Sequence, residues 1–141
     1  MLHLPSAALR VEESDRLSFL PYLFGEDFLD AEMQVYDYAN RYLPEYNGGF
    51  WHFIRLPDGG GYMMPDVGPV RLVNDDNRFD RTVSNDVAGI ILTSLVINHR
   101  CGLHHDRDRA GLVKLFIQRE EQLWHHIVAH PEWGDIYAAL D

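Results

Sequence analysis

Eleven consecutive residues near the middle of the chain, Val87-Ala88-Gly89-Ile90-Ile91-Leu92-Thr93-Ser94-Leu95-Val96-Ile97, limit the folds open to it more than any other feature. The run is far shorter than the ~20 apolar residues a membrane span requires. As a helix it is apolar on nearly every side, so it belongs in the middle of the fold, enclosed by the other elements. Ser84 or Asn85 can cap its start, and His99 and Arg100 complement the dipole at its end. Gly102 reads as the left-handed stop.

The enclosing elements can be placed on either side of this helix. Residues 17–24 are dense in apolar side chains, contain Pro21 and close on Gly25, which predicts a short helical or irregular segment packed on the core. A helix is expected over 26–43, with Glu26, Asp27 and Asp30 in its first turn, Pro44 after it, and Leu29, Met33, Tyr36 and Leu43 as its apolar stripe. Strands are expected at 50–56, 62–64, 70–73 and 78–83, with residues 57–61 and 74–77 as tight links. After the central helix, a polar loop at 104–106 leads to an amphipathic helix over 107–129, with Leu112, Leu115, Phe116, Leu123 and Ile127 buried. Pro131 opens a last short helix carrying Trp133, Ile136, Tyr137 and Leu140.

Helix, four strands, then helices is a segregated order. It predicts an α+β fold: a single domain in which a small antiparallel four-stranded meander packs with several helices. Residues 1–14 read as a loose lead-in and 15–141 as the domain. With 141 residues, 46% of them apolar, the chain can enclose such a core.

Charge narrows the function. Twenty-two acidic residues face twelve basic ones, of which only Lys114 is a lysine, and the net charge is −10. Binding a phosphate backbone needs clustered cations, so no direct contact with nucleic acid is expected, whereas a basic protein partner is compatible. No N-terminal stretch has the make-up of a secretory leader, and the expectation is a cytoplasmic protein with no membrane association. Cys101 stands alone, which excludes an internal disulfide and any multi-cysteine zinc module.

Catalytic motifs are sparse. Asp58-Gly59-Gly60-Gly61 lacks the Lys-Ser/Thr and helix of a phosphate loop and reads as a turn. Ser84 lacks a nucleophile elbow and reads as a cap. His99, His104, His105 and Asp106 fall within eight residues and could serve a metal-dependent hydrolase, but zinc needs convergent ligands and neighbours on a chain rarely aim at one ion. Tyr46-Asn47-Gly48-Gly49-Phe50-Trp51-His52-Phe53 alternates large rings, one face filling the core and the other available for contact.

Several blocks occur together in one order: Arg16-Leu17-Ser18-Phe19-Leu20-Pro21 with Phe24-Gly25, Tyr46-Asn47-Gly48-Gly49-Phe50-Trp51, Gly60-Gly61-Tyr62-Met63-Met64-Pro65, Ser84-Asn85-Asp86-Val87-Ala88-Gly89, His130-Pro131-Glu132, and the terminal Ile136-Tyr137-Ala138-Ala139-Leu140-Asp141. In this set the chain resembles the ArdB/KlcA antirestriction family over residues 15–141. The segment at 104–108 and the triple glycine at 59–61 depart from the family pattern. The resemblance implies an inhibitor of type I restriction-modification enzymes that protects incoming plasmid or mobile-element DNA, without catalytic residues or a cofactor. Its partner would be the type I restriction endonuclease complex. Acidic DNA mimicry is one route. Eleven arginines interrupt the acids, however, and a mimic needs a continuous stripe at about one charge per 1.7 Å, so contact with a protein surface is the favoured route. On these blocks the expected contacts are Arg16 and Glu32 as charged rim, Tyr46 with Trp51 as an aromatic anchor, Asp86 and Glu132 at helix starts, and Asp141 at the terminus.

Overall fold

The computed structural model describes residues 8–141. Strand β1 (Leu9–Arg10) is followed by helices α1 (Arg16–Phe24) and α2 (Phe28–Tyr42). Strands β2 (Trp51–Arg55), β3 (Gly61–Pro65), β4 (Val70–Asn74) and β5 (Phe79–Val83) come next, and then helices α3 (Asn85–Asp106), α4 (Ala110–Val128) and α5 (Trp133–Leu140). The α+β expectation holds.

Helix α3 is the enclosed element that its composition requires. Val87, Ala88, Gly89, Ile90, Ile91 and Leu92 are buried in succession, so no side of this stretch meets water. Helices α2, α4 and α5 and strand β3 pack around it. Gly89 sets the distance to the sheet, because a Cβ there would overlap the Met63 carbonyl oxygen and lie 2.8 Å from Met64 Cα. Four residues on, Thr93 Oγ1 accepts from the Met63 amide at 3.1 Å and lies 3.5 Å from the Met63 carbonyl oxygen. Asn85 Nδ2 donates to the Pro65 carbonyl at 3.1 Å.

Those bonds explain a difference from the expected meander. The strands form two separate sheets, β1-β2-β3 and β4-β5, all antiparallel. At Met63 and Pro65 the outer edge of β3 is bonded by side chains of α3, which takes ladder positions that β4 would need there. Residues 66–69 carry the chain away, and β4-β5 forms its own hairpin with Val70 opposite Val83 and Asn74 opposite Phe79. Part of the expected lead-in is also ordered: Leu9 pairs with Arg55, Arg10 with Ile54, and the Val11 amide reaches Phe53 O at 2.8 Å.

Two helix readings need correction. Gly102 does not stop α3, which continues to Asp106 and absorbs the expected loop at 104–106. The left-handed position is taken by Asp108, at φ 55°, just before α4. On α2, Leu29 (64% exposed) and Met33 (58%) face water, and the buried face is Ala31, Val35, Ala39 and Tyr42. Polar anchors fix that roll. Arg100 of α3 holds Asp27, just before α2, through Nε at 2.5 Å and Nη2 at 2.9 Å, and Arg100 Nη1 donates to Gln34 at 2.9 Å. The small side chains of Ala31 and Ala39 suit a close approach.

The last helix is tied down at its C-terminal end. Asn77 Nδ2, in the β4-β5 turn, lies 3.2, 2.7 and 3.1 Å from the carbonyls of Ala138, Ala139 and Asp141, and Asn74 Nδ2 donates to Ala139 O at 3.1 Å. Carbonyls that a helix end leaves without partners are thereby capped from another element.

Candidate functional site

Four of the expected contact residues meet where α1, α2 and the start of β2 come together. Tyr36 donates to Glu32 one turn earlier on α2, at 2.8 Å, and its ring lies 5.7 Å from that of Trp51. Trp51 Nε1–H donates to the Tyr46 hydroxyl at 3.0 Å. Burial first, and then the Glu32 carboxylate, push the Tyr36 phenol well above its ordinary range, while Arg16 pulls it down. The Arg16 guanidinium sits 4.4 Å from the centroid of Phe50 and 4.1 Å from that of Phe53. Such stacking holds a cation beside rings at a partly exposed site.

Strand alternation decides which ring faces out. Trp51 is only 3% exposed and belongs to the core, so the expected aromatic anchor is a buried support. Phe50, one residue earlier, is 50% exposed. It follows Gly48 and Gly49, which have φ of 93° and 117° with open space where side chains would be. Phe50, Arg16, Arg10 and His52 line an open groove of about 380 Å³ that Glu12 and Glu13 also border. His52 Nε2 lies 3.0 Å from Asp66 Oδ1 at the same face.

Asp86 and Glu132 meet at a second place. Ser84 caps α3 by accepting from the Val87 amide at 3.1 Å, and its hydroxyl donates to Glu132 Oε2 at 2.9 Å. The Tyr62 hydroxyl donates to Asp86 Oδ1, and His130 Nε2 lies 2.7 Å from Asp86 Oδ2. The Glu132 amide donates to His130 Nδ1 at 2.9 Å. Since Nδ1 accepts, Nε2 carries the proton and donates to Asp86. Asp86 is buried, with both oxygens engaged, so it joins α3 to β3 and the C-terminal segment and cannot be the surface contact expected of it. Glu132 is half-buried, and Asp141 is exposed at the terminus, its carbonyl held by Asn77.

The histidine group does not converge. His104 is fully buried with Nε2 2.8 Å from Asp27 Oδ2, off the line of a good hydrogen bond, and its ring packs on Phe116. His99 is exposed and bonded through Nδ1 to Gln34 and Tyr38 of α2, at 2.8 and 3.1 Å. His105 and Asp106 are solvent-facing, 3.7 Å apart. Successive helix positions are turned by about 100°, which sends these side chains to different sides. Among the described residues, no three His, Cys, Asp or Glu side chains are grouped to hold a metal ion. His99, His104, His105 and Asp106 are thus not brought together.

The Asp27–Arg100–Gln34 cluster is the polar feature that sequence reading missed. Burial drives the Asp27 carboxyl up, but Arg100 and His104 together outweigh it and hold the group below its usual range. Its only sequence signals, an acid at a helix start and a cation near a helix end, are ones that dipole arguments explain equally well.

The comparisons with known proteins agree with this architecture. A family model described as antirestriction protein matches residues 44–141. A putative antirestriction protein, YubI of Escherichia coli strain K12, is 63% identical over 141 residues, covering all of both chains. An antirestriction protein KlcA of Escherichia coli is 38% identical, covering 97% of this chain and 94% of its own. A solved structure from work on the KlcA and ArdB proteins, described as showing a novel fold and antirestriction activity against type I DNA restriction systems in vivo but not in vitro, superposes with a TM-score of 0.83. It is 34% identical and covers all of both chains. The matched family model and these full-length likenesses place the chain in one group: it belongs to the antirestriction protein family.

Proposed function

We propose that this protein relieves type I restriction in the cytoplasm through protein–protein contact, with no chemistry of its own on DNA. The observation that carries the reading is the likeness over the whole chain to the KlcA/ArdB structure, at 34% identity and a TM-score of 0.83. The functional unit is residues 15–141, and β1, which precedes it in the chain, adds the edge strand of its three-stranded sheet. No helix among the described residues is long and apolar enough to cross a membrane, in keeping with action on a soluble complex.

Charge distribution favours contact with a protein surface over DNA mimicry. Asp27 and Asp86 are buried, and Asp76, Asp80 and Asp135 are each paired with an arginine, at 3.8, 2.7 and 2.8 Å. Carboxylates interleaved with guanidinium groups do not reproduce an unbroken row of phosphates. Activity in vivo but not in vitro, stated for KlcA and ArdB, fits an inhibitor whose contact needs a component missing from a purified reaction. Arg16, Glu32, Tyr46 and the exposed Phe50 are the contact residues on the β2 face, with Trp51 behind them, and Glu132 and Asp141 lie on the C-terminal side.

The test is the plating of unmodified phage on cells with a type I restriction system, with and without the protein. Restored plaque numbers with unchanged DNA modification are expected. Unchanged restriction at good soluble expression, repeated with a second type I family, would overturn the proposal.

A further inference from the structure

Several aromatic rings of this protein, the exposed Phe50 and the half-buried Tyr22 among them, already carry an arginine. Arg16 lies over Phe50, Arg41 over Tyr42, Arg55 and Arg119 over Tyr22, and Arg81 over Phe79, at 4.4–5.1 Å from the centroids. One group differs. Trp124 of α4 and Trp133 of α5 both pack edge-on against Tyr137, at 5.2 and 5.3 Å between centroids, and form a three-ring ladder. Trp133 is 53% exposed and Tyr137 39%, and Val128, one turn beyond Trp124, is 56% exposed. Among the described residues no cation of this chain lies over any of the three rings.

The charge around the ladder points the same way. From residue 120 to the end, the chain has five acidic side chains, Glu120, Glu121, Glu132, Asp135 and Asp141, and neither lysine nor arginine; of these, Asp135 is paired with Arg81 of β5. Glu120 and Glu121 stand one turn before Trp124, and among the described residues no cation pairs with either. Open ring faces bordered by such carboxylates attract a guanidinium or ammonium group, because the ring quadrupole and the formal charges act with the same sign. Exposed Trp and Tyr are also the residue types that dominate interface energetics.

We propose that the Trp124–Tyr137–Trp133 ladder is a docking surface for a basic protein segment, whose arginine or lysine side chains stack on the rings and face Glu120 and Glu121. Identifying the owner of that segment with the restriction machinery rests on the antirestriction reading; the chemistry of the surface does not. The first test titrates the whole chain with a deca-arginine peptide at physiological salt, following the three indole Nε1–H signals by NMR. The signals of Trp124 and Trp133 should move, and that of Trp51, bonded to Tyr46 in the core, should stay. Trp133→Ala with Tyr137→Ala should weaken binding by about tenfold, a value within the range of desolvated cation–π contacts. Glu120→Gln with Glu121→Gln should also weaken it while leaving the rings packed. Static indole signals, or undiminished affinity in both double variants, would overturn the assignment. The second test is phage plating. Relief of restriction by the wild type and its loss in a folded Trp133→Ala, Tyr137→Ala variant would support the surface. Relief by both would overturn the surface and leave the antirestriction reading standing. No relief by the wild type would sink that reading, and the peptide titration alone would then decide what the ladder binds.

Discussion

Alanine at Gly102 and alanine at Gly89 should move stability in opposite directions, although both glycines lie inside α3. Helix propensity favours Ala over Gly by about 1 kcal/mol in each case. At Gly102 nothing lies within 4 Å of the added Cβ, so that gain stands alone and Gly102→Ala should stabilise by about 0.5–1 kcal/mol. At Gly89 the same gain meets the Met63 carbonyl oxygen, with Met64 Cα at 2.8 Å and Met63 C at 3.2 Å. These are backbone atoms of β3 and cannot rotate aside. Overpacking costs about 1–3 kcal/mol, and parting α3 from β3 also weakens the Thr93 contacts to Met63, about 1 kcal/mol each. After the propensity gain is subtracted, Gly89→Ala should destabilise by about 2 kcal/mol. Urea unfolding followed by far-ultraviolet circular dichroism reads both variants, as midpoint shifts at a constant slope. Destabilisation by Gly102→Ala would show that the helix breaks there, as the sequence pattern predicts. A neutral Gly89→Ala would refute the close approach of α3 to β3.

Removing the partner of a buried guanidinium is severe, so Asp27→Ala should cost about 3–5 kcal/mol, readable in the same unfolding assay. The Asp27 carboxyl is held below its unfolded value, so its contribution is complete above about pH 4 and fades as pH falls through the lower folded value. Asp27→Asn should therefore flatten part of the acid limb of a stability–pH curve. His126 behaves as a base kept neutral: burial, then the neighbouring His130, push its imidazole below the usual value, with Asp86 opposing. The unfolded chain takes up that proton first, so stability should decline as pH drops below about 6.5, and His126→Phe should reduce the slope there. Asn77→Ala removes the side chain that reaches three carbonyls at the end of α5, and amide exchange at residues 137–141 should quicken about tenfold, equivalent to about 1.4 kcal/mol.

Much of the fold was legible because hydrophobic pattern and turn chemistry agree. The buried run in α3, the strand positions, and the stripe of Phe116, Leu123 and Ile127 on α4 all follow from periodicity. What was not legible depends on contacts distant in sequence. A meander and two separate hairpins have the same local pattern, and the choice lies with Thr93 and Asn85 of α3, which bond the outer edge of β3 at Met63 and Pro65. The roll of α2 is similar. Leu29 and Met33 make the more apolar stripe, yet the helix buries Ala31 and Ala39. Asp27 and Gln34 must reach Arg100, some seventy residues away, and burying that guanidinium without them would cost more than exposing two apolar side chains.

The same reasoning separates supports from contacts within the site. Tyr46-Asn47-Gly48-Gly49-Phe50-Trp51 is a block of exposed-looking aromatics, and in a strand a register shift of one residue exchanges every inward ring for an outward one. Trp51 is drawn inward because its N–H finds the Tyr46 hydroxyl and its ring finds Tyr36, so the indole is buried without an unsatisfied donor. Phe50 has no polar atom to satisfy and can stand outside, where Arg16 covers one of its faces. A partner approaching Phe50 must compete with that arginine, whereas one approaching Trp133 or Tyr137 meets no cation of this chain over the rings. Phe50→Ala should therefore weaken protection against restriction less than the paired loss of Trp133 and Tyr137 does, with phage titre as the measure. The reverse order would place the energetic centre of the contact on the β2 face.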